Sequence, residues 1–412
     1  DPRFAWVGLA ADGLAIGLVL LDVLLASRIP VRIARTIDVR LHQGEPAVVR
    51  RAVSHGSGRT IRLWLRDALA PELSAGPRDL AWALGPGRER IAEQTIWPRV
   101  RDDVRVPAVA CRVRGPLGLA WASRRAGQDA EVRVLPKAHL EGDAGLLVQQ
   151  AMRRQLGAHP TVRRGISSEM YGVREYLPGD EYRMIHWKAS ARMNRPVTME
   201  TTWERHQQLV VMVDCGRSMA SRAEGYSKLD HTLAAVLALL RVVVAQQDSA
   251  LLVLFSHEVR RVLPVDRRTR SFAPIFEALF DEQPELTEPD YASVAAWCAR
   301  QVPRRSLALM CTSVLDLVAA EVLASALTGL AGRHQPLLVN LQDPVLIEIA
   351  RSEPAGLRES YAKTTAMGML AANRELETRL RGAGVDTVSL PASRLAVGAI
   401  QGYLDAKARR RF

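Results

Sequence analysis

The residues best suited to chemistry stand where one apolar run stops. Gln208 to Cys215 (QLVVMVDC) has the composition of a buried strand and runs into Asp214-Cys215-Gly216-Arg217-Ser218-Met219. A carboxylate and hydroxyls at alternate positions of one loop can present oxygens to a common point. A hard divalent cation such as Mg²⁺ takes oxygen ligands in an octahedron and keeps part of its hydration. The same side chains, Asp214 and Ser218, can instead cap a following helix or brace the loop. Both readings stay open at this level.

A second constellation lies upstream, in Tyr176 to Arg192 (YLPGDEYRMIHWKASAR). Pro178 and Gly179 mark a turn, and Asp180 can cap the residues after it. On a helix, Asp180, Arg183 and Trp187 fall at i, i+3 and i+7, on one face. Asp180 can pair with Arg183, and Arg183 can stack on the Trp187 indole. A clamp docking this stretch onto a neighbouring domain accounts for these residues better than catalysis does. Elsewhere the catalytic patterns are missing: no P-loop, no G-x-S-x-G elbow and no H-E-x-x-H. The nine histidines do not cluster. His186 sits inside the second constellation and His257 at a hairpin where it could bond backbone.

The elements needed to position these residues follow from the hydrophobic pattern. Phe4 to Ala26 is apolar apart from Asp12 and Asp22 and has the length of a bilayer-spanning helix. A buried soluble helix is the alternative, because two carboxylates are costly in lipid. Arg28, Arg32 and Arg35 follow the segment against Arg3 before it, which places the rest of the chain in the cytoplasm and the segment in a cell inner membrane. A helix before Asp1 would make this segment the second arm of a hairpin. From Val31 to about Pro136, short alternating runs (TIDVRL, AVVRRAV, TIRLWL, DVRVPAVACRVR, AEVRVLP) separated by turn residues predict a β-sandwich. From Gln207 onward, apolar strands alternate with helices, which predicts a mostly parallel sheet covered on both faces, with its crevice at the carboxyl ends of the strands. The expected divisions are a transmembrane segment (1–27), a β-sandwich domain (30–137), an Arg-rich connector (138–205) and an α/β domain (206–412).

Composition narrows the partners. Of 412 residues, 48% are hydrophobic, enough for packed cores, and the net charge of +12 attracts anions of several kinds. The arginines are scattered, and no zinc-finger spacing or aromatic-studded RNA-binding signature occurs, so nucleic acid is not an expected partner. Cys111, Cys215, Cys298 and Cys311 are far apart and form no C-x-x-C pair. Cys215 and Cys311 lie in apolar runs and read as small buried hydrophobes.

Two resemblances rest on these residues. The loop at Asp214 resembles the D-x-S-x-S metal loop that opens von Willebrand factor A domains. Asp214 and Ser218 match its first and last positions, and Gly216 replaces the middle serine. Ser313 stands where such domains often carry an acidic ligand, with Asp316 the nearest carboxylate, and Thr269 falls in the loop that would supply a threonine. That resemblance implies a Rossmann-type α/β fold with a degenerate metal set of Asp214, Ser218 and Ser313. Mg²⁺ binding there is expected to be weak or absent, because Gly216 supplies no hydroxyl and Ser313 no carboxylate. The second string resembles the G-D-x-x-R-x-I-x-W-x-x-x-A-R signature of the bacterial family known as domain of unknown function fifty-eight, through Gly179, Asp180, Arg183, Ile185, Trp187, Ala191 and Arg192. Gly165, Glu169 and Arg174 are similar to the family's lead-in. Gly115-Pro116-Leu117-Gly118-Leu119 resembles its D-P-L-G-L, with Gly115 in place of the acid, and Asp343-Pro344 is similar as well. The resemblance implies a membrane-anchored adaptor that works beside a MoxR-type AAA+ ATPase in chaperone-like assembly or remodelling.

The expectation for function is therefore a binding module rather than an enzyme. Its partner-binding edge would lie at Asp214, Arg217, Ser218, Thr312 and Asp316. A metal-dependent hydrolase using the Asp214 loop is one alternative, although two-metal hydrolases need several carboxylates at the strand ends. A structural envelope scaffold without an ATPase is another. The sequence leaves the client and the oligomeric state open.

Overall fold

The computed structural model describes residues 2–67, 69–75, 79–137, 145, 146, 148–150, 170–177, 182, 185–201, 207–314 and 317–409. The elements, in chain order, are helix α1 (Pro2–Ser27) and strands β1 (Val31–Thr36), β2 (Arg40–His42), β3 (Ala47–His55), β4 (Ile61–Arg66), β5 (Leu73–Ala75), β6 (Asp79–Leu84), β7 (Arg90–Pro98), β8 (Asp103–Val106), β9 (Val109–Arg114), β10 (Trp121–Ala126), β11 (Ala130–Leu135) and β12 (Met170–Glu175). Then come α2 (Trp187–Met193), β13 (Val197–Thr201), β14 (Gln208–Asp214), β15 (Arg222–Ala223), β16 (Tyr226–Ser227), α3 (Lys228–Ala245), β17 (Ser249–Phe255), β18 (Val259–Val265), α4 (Ala273–Phe280) and α5 (Tyr291–Gln301). The chain closes with β19 (Leu307–Thr312), α6 (Leu317–Ala331), β20 (Gln335–Leu341), α7 (Pro344–Arg351), α8 (Leu357–Gly382), β21 (Asp386–Leu390) and α9 (Leu395–Ala408). They form two compact units: Asp1–Leu140 with Arg222–Ala234 and Ser271–Gln283, and Glu141–Ser221 with Ala235–Arg270 and Pro284–Phe412.

The first unit is β-rich, as the alternating runs imply. Its sheets have the orders β1-β3-β7-β5, β10-β9-β4-β6 and β2-β11-β8. Alternation along β4 buries Ile61, Leu63 and Leu65, which pack with Ile33, Val53, Cys111 and Val113 in one core. Leu41, Val49, Ile96, Val106 and Val134 form a second core. The run DVRVPAVACRVR is two strands, β8 and β9, because Pro107 cannot donate to a ladder.

Helix α1 contains a stretch, Trp6–Ser27, long and apolar enough to cross a membrane. Its large side chains are open, Trp6 at 74% and Leu20 at 63%. Asp22 is the exception, with its side chain fully buried. One carboxylate oxygen accepts from the Leu117 N–H (2.7 Å), the other from the N–H groups of Leu119 (2.8 Å) and Ala120 (2.9 Å). Three backbone donors thus replace the water that a carboxylate at this place would lose. Gly115 makes room for it: a Cβ there would fall 2.1 Å from the Asp22 Cγ.

Within the same unit, Arg101 is 2% exposed and fully used. Its Nε reaches Asp230 Oδ1 at 3.0 Å, Nη1 donates to the carbonyls of Leu279 (2.5 Å) and Phe280 (2.7 Å), and Nη2 donates to that of Glu282. The guanidinium thus neutralises the end of α4, where carbonyls lack intrahelical partners. Burial alone would raise the Asp230 carboxyl, but the Arg101 charge and hydrogen bonds from Ser227 and Gln43 hold it below its ordinary value.

The second unit carries a six-stranded sheet of order β18-β17-β14-β19-β20-β21. β14 pairs in parallel with β17 and β19, β19 with β20, and β20 with β21, while β18 returns antiparallel to β17. The order reverses between β14 and β19, which is where open α/β sheets present their crevice. The interior strands bury almost every side chain, from Leu209 to Asp214 and from Leu307 to Thr312. Burial pushes the thiols of Cys298 and Cys311 up to about 12. Both stay protonated and inert. Helix α9 is fixed by Tyr403 and Lys407, whose polar atoms both bond Asp248 Oδ2, the latter at 2.6 Å.

Replacing Arg101 with Met removes the cation beside Asp230, which keeps only the neutral donors Gln43 and Ser227, and takes a donor from three carbonyls. The expected cost is about 3–5 kcal/mol, the range for breaking a buried pair from one side. Because the Asp230 value is depressed, its stabilisation is present above the ordinary carboxyl pKa and is lost as pH falls through the folded value. Denaturation curves across pH 4 to 7 check this: Arg101→Met should be less stable throughout and show a shallower acid limb.

Candidate functional site

Asp214 is the last residue of β14, at the carboxyl edge of the sheet next to the switch point. It is wholly buried, and its oxygens are taken by donors. Oδ1 accepts from the Gly216 N–H at 2.7 Å, and Oδ2 accepts from the Thr312 hydroxyl (2.6 Å) and the Tyr291 phenol (3.3 Å). Tyr291 and Thr312 also bond each other at 2.9 Å. Among the described residues no ion pair reaches Asp214. Burial pushes its carboxyl above the ordinary value, against the downward pull of Thr312, Gly216 and Tyr291. The Tyr291 phenol is pushed up by the same burial and by the Asp214 charge.

The loop from Pro284 to Asp290 closes over this cluster. The Glu285 N–H bonds the Cys215 carbonyl at 2.7 Å, the Arg217 N–H bonds the Thr287 carbonyl at 2.9 Å, and the Asp290 N–H bonds the Ser256 carbonyl at 2.8 Å. Asp290 also caps α5, accepting from the Ser293 N–H at 2.9 Å, which sets Tyr291 as the first helical residue. Gly216 is held tightly. A Cβ there would meet the Pro289 Cδ at 2.9 Å and the Thr287 carbonyl at 3.0 Å. A serine at 216 is thus excluded by sterics as well as absent from the sequence.

These residues do not fit an octahedral cation. The single carboxylate is surrounded by donor hydrogens, and Ser313, placed among the metal ligands by resemblance, turns away and donates its hydroxyl to the Leu341 carbonyl at 2.9 Å. Ser218 Oγ is buried with no hydrogen-bond partner among the described residues and is the one loop hydroxyl left uncommitted. Asp316 lies outside the described residues. No group of three His, Cys, Asp or Glu suited to a metal occurs among those described. The expectation that Thr269 serves this loop is corrected: its N–H closes a turn on Asp266 beyond β18, and Thr287 comes to Gly216 instead. Of the two readings open for Asp214, bracing is the one observed.

The expected partner edge is corrected in part. Asp214 and Thr312 are 0% and 1% exposed, so neither can meet a partner at the surface. Arg217 does reach the surface, paired with Glu288 at 2.5 Å. Beside it, at the end of β17, Glu285 accepts from the Ser256 hydroxyl at 2.5 Å and faces His257 Nδ1 (3.4 Å) and Arg260 Nε (3.4 Å). The Ser256 hydrogen bond, helped by the Arg260 and His257 charges, holds Glu285 below its ordinary value. His257 thus meets side chains rather than backbone. Ser256 is fully buried, so this trio offers no accessible nucleophile.

The signature residues are also rearranged. Gly179, Asp180 and Arg183 lie outside the described residues. Ile185 forms a bridge to Thr198, and α2 begins only at Trp187, with the His186 ring accepting from the Ala189 N–H at 3.1 Å. The continuous helix that would carry residues 180, 183 and 187 on one face is therefore absent at Ile185, which is extended. Trp187 is 69% exposed, so it is not the buried half of a clamp. Arg192, in the last turn of α2, is exposed as well. Sequence reasoning missed Tyr291, Thr287 and Glu285. The only local signal was Asp290 ahead of an apolar helix, which fixes where α5 starts but not what Tyr291 faces.

Asp214→Asn tests the closed cluster. The amide can accept from Gly216 and donate to the Thr312 and Tyr291 oxygens. A raised carboxyl stabilises most below its unfolded value of about 3.9 and loses that contribution as pH rises through the folded value. The wild-type melting temperature, relative to that of Asp214→Asn, should therefore fall between pH 4 and 8, leaving the variant equal or more stable at pH 8. A strong destabilisation of the variant at pH 8 would show that the carboxylate is held ionised.

Among solved structures, the chain is similar to the SpRpn10 VWA domain at 10% identity, covering 46% of this chain and 93% of that one, with a TM-score of 0.29. A CARDB domain from Pyrococcus furiosus, in complex with di-metal ions, matches at 11% identity over 26% of this chain and 93% of that one, with a TM-score of 0.19. A beta-glucosidase from Listeria innocua in complex with gluconolactone matches at 16% identity over 26% of this chain and 16% of that one, with a TM-score of 0.13. No curated protein matches the chain. Residues 172–366 match the family described as Protein of unknown function DUF58, which supports the membership implied by the Gly179 to Arg192 string.

Proposed function

We propose that this protein is a membrane-anchored adaptor, not an enzyme, that binds other proteins through a von Willebrand factor A-like domain and its signature segment. The observation that carries the reading is the exposure of large apolar side chains within one short stretch: Tyr182 at 75%, Trp187 at 69% and Met193 at 47%. An open Trp in the most specific motif of the chain suits a contact anchor, since Trp and Tyr dominate interface energetics. The Asp214 cluster supports the same view from the other side. Its polar atoms face inward, and the exposed rim above it consists of the charged side chains of Arg217, Glu288 and His257.

The partner in this proposal is a MoxR-type AAA+ ATPase, which rests on the family resemblance. The anchor is α1 in a cell inner membrane, with the two units on the cytoplasmic side, which rests on the basic flank of Arg28, Arg32 and Arg35. Partner recognition needs no Mg²⁺ held by this chain alone. An acidic group brought by a partner would meet Arg217 at the surface first.

Affinity purification of the full chain from detergent-solubilised membranes, with and without ATP and Mg²⁺, tests the proposal. The ATPase should be recovered with the wild type. Trp187→Ala should cut that recovery at least tenfold while changing stability by no more than about 0.5 kcal/mol, as for an exposed site. Recovery without any ATPase would favour a structural scaffold. A large loss of stability in Trp187→Ala would restore the clamp. Mg²⁺-dependent hydrolysis that is lost in Asp214→Asn would favour the hydrolase.

A further inference from the structure

The outer face of the β10-β9-β4-β6 sheet in the first unit has a composition unusual for a solvated surface. Alternation sends Ile61, Leu63 and Leu65 of β4 inward and leaves Arg62, Trp64 and Arg66 outward. β9 adds Arg112 opposite Trp64, and β10 adds Ser123 opposite Arg112, with Trp121 and Arg125 two positions to either side on the same face. Arg112 and Arg66 lie over the Trp64 ring at 4.9 and 5.7 Å. Among the described residues of these strands, the acid on this face is Asp79, already paired with Arg66 at 3.2 Å. The face is therefore cationic and studded with indoles.

Its position along the chain says what that charge could meet. The turn joining β9 to β10 is the one that holds Asp22, in the last turns of the apolar helix. If α1 spans a bilayer, that turn lies at the level of the headgroups. Leu117, Leu119 and Trp121 there are 50%, 55% and 46% exposed although they belong to a packed hairpin. Interfacial membrane contacts combine apolar and indole side chains at the boundary with arginines reaching the phosphates. Cytoplasmic leaflets carry the opposite charge.

We propose that this sheet face is a second membrane contact, which docks the first unit on anionic lipid headgroups beside α1. Leu117, Leu119 and Trp121 enter the interface, and Arg62, Arg112 and Arg125 bind lipid phosphates. Trp64 lies under the Arg112 guanidinium at 4.9 Å and helps fix its place on the sheet. The proposal rests on α1 being a membrane span. It adds a lipid preference and a fixed orientation, which a helix alone does not supply.

The test uses the full chain reconstituted into nanodiscs of neutral lipid or of mixed neutral and anionic phospholipid. Ser123→Cys, on the face, carries a spin label. The four native cysteines are buried, so labelling is selective. In anionic discs the label should become immobilised and more accessible to oxygen than to a water-soluble nickel reagent, and high salt should reverse this. Arg62→Gln and Arg112→Gln should each lower the ratio of immobilised to mobile label by about fivefold, the effect of one basic residue at a charged surface. Equal label behaviour in neutral and anionic discs overturns the proposal while leaving the anchor intact. A chain that does not enter discs at all overturns the anchor, and the docking with it. Protection of the label by a single-stranded oligonucleotide, and not by anionic lipid, would reassign the face to nucleic acid.

Discussion

A carboxylate buried without a cation must be satisfied by donors, and Asp214 shows how far that requirement reaches. Its oxygens need the Gly216 N–H, the Thr312 hydroxyl and the Tyr291 phenol. Thr312 is fixed because it ends β19, in register with β14. Tyr291 is fixed only if α5 starts where Asp290 caps it, and Asp290 is held by the Ser256 carbonyl at the end of β17. The carboxyl ends of three neighbouring strands and the first turn of α5 thus share one network. Leaving any member unsatisfied costs more than the net gain from forming it, so the edge closes as a whole. This also explains why Gly216 has no side chain. The loop that seats Tyr291 passes where a Cβ would stand.

The first unit treats its buried charges by the same rule with different donors. Asp22 is met by three backbone N–H groups, and Arg101 by three carbonyls and one carboxylate. In each case the partner groups come from a turn or a helix end, where backbone polar atoms are otherwise unpaired. A charge placed there does two things at once: it loses its own desolvation penalty and removes that of the backbone. Residues far apart in sequence, such as Asp22 with Ala120 and Arg101 with Glu282, are tied together this way.

Much of the fold was legible because it depends on local periodicity. The runs at Gln208, Ser249, Leu307 and Gln335 are apolar without alternation, as strands covered on both faces must be, and helices lie between them as the alternation implies. Helix α7 was missed, since eight residues hold too few turns for a pattern, although Asp343 and Pro344 form a clear start. The site was less legible because its geometry depends on chain path. Thr269 sits soon after β18, yet residues Ser271–Gln283 belong to the first unit, and the chain rejoins the second only at Pro284. The loop that reaches Asp214 is therefore a later one than spacing suggests. Trp187 was misplaced for a related reason. Aromatic residues are commonly buried, but nothing in a heptad-like spacing says whether a partner surface exists to bury them.

What the molecule keeps inside and what it leaves open together argue for its mode of action. Among the described residues, Asp214, Ser256, Tyr291 and the four cysteines are buried, while His257 is open beside Glu285. The groups left open are of the kinds that make contacts: Trp187 and Tyr182 near the signature, Arg217 and Glu288 at the sheet edge, Trp121 and arginines on the outer β face. An inert, rigid interior that holds exposed groups in fixed places leaves little freedom to be lost if a partner binds them. The closed Asp214 cluster is rigid in this sense, since its hydrogen-bonded edge cannot rearrange one loop without breaking bonds at all three strand ends.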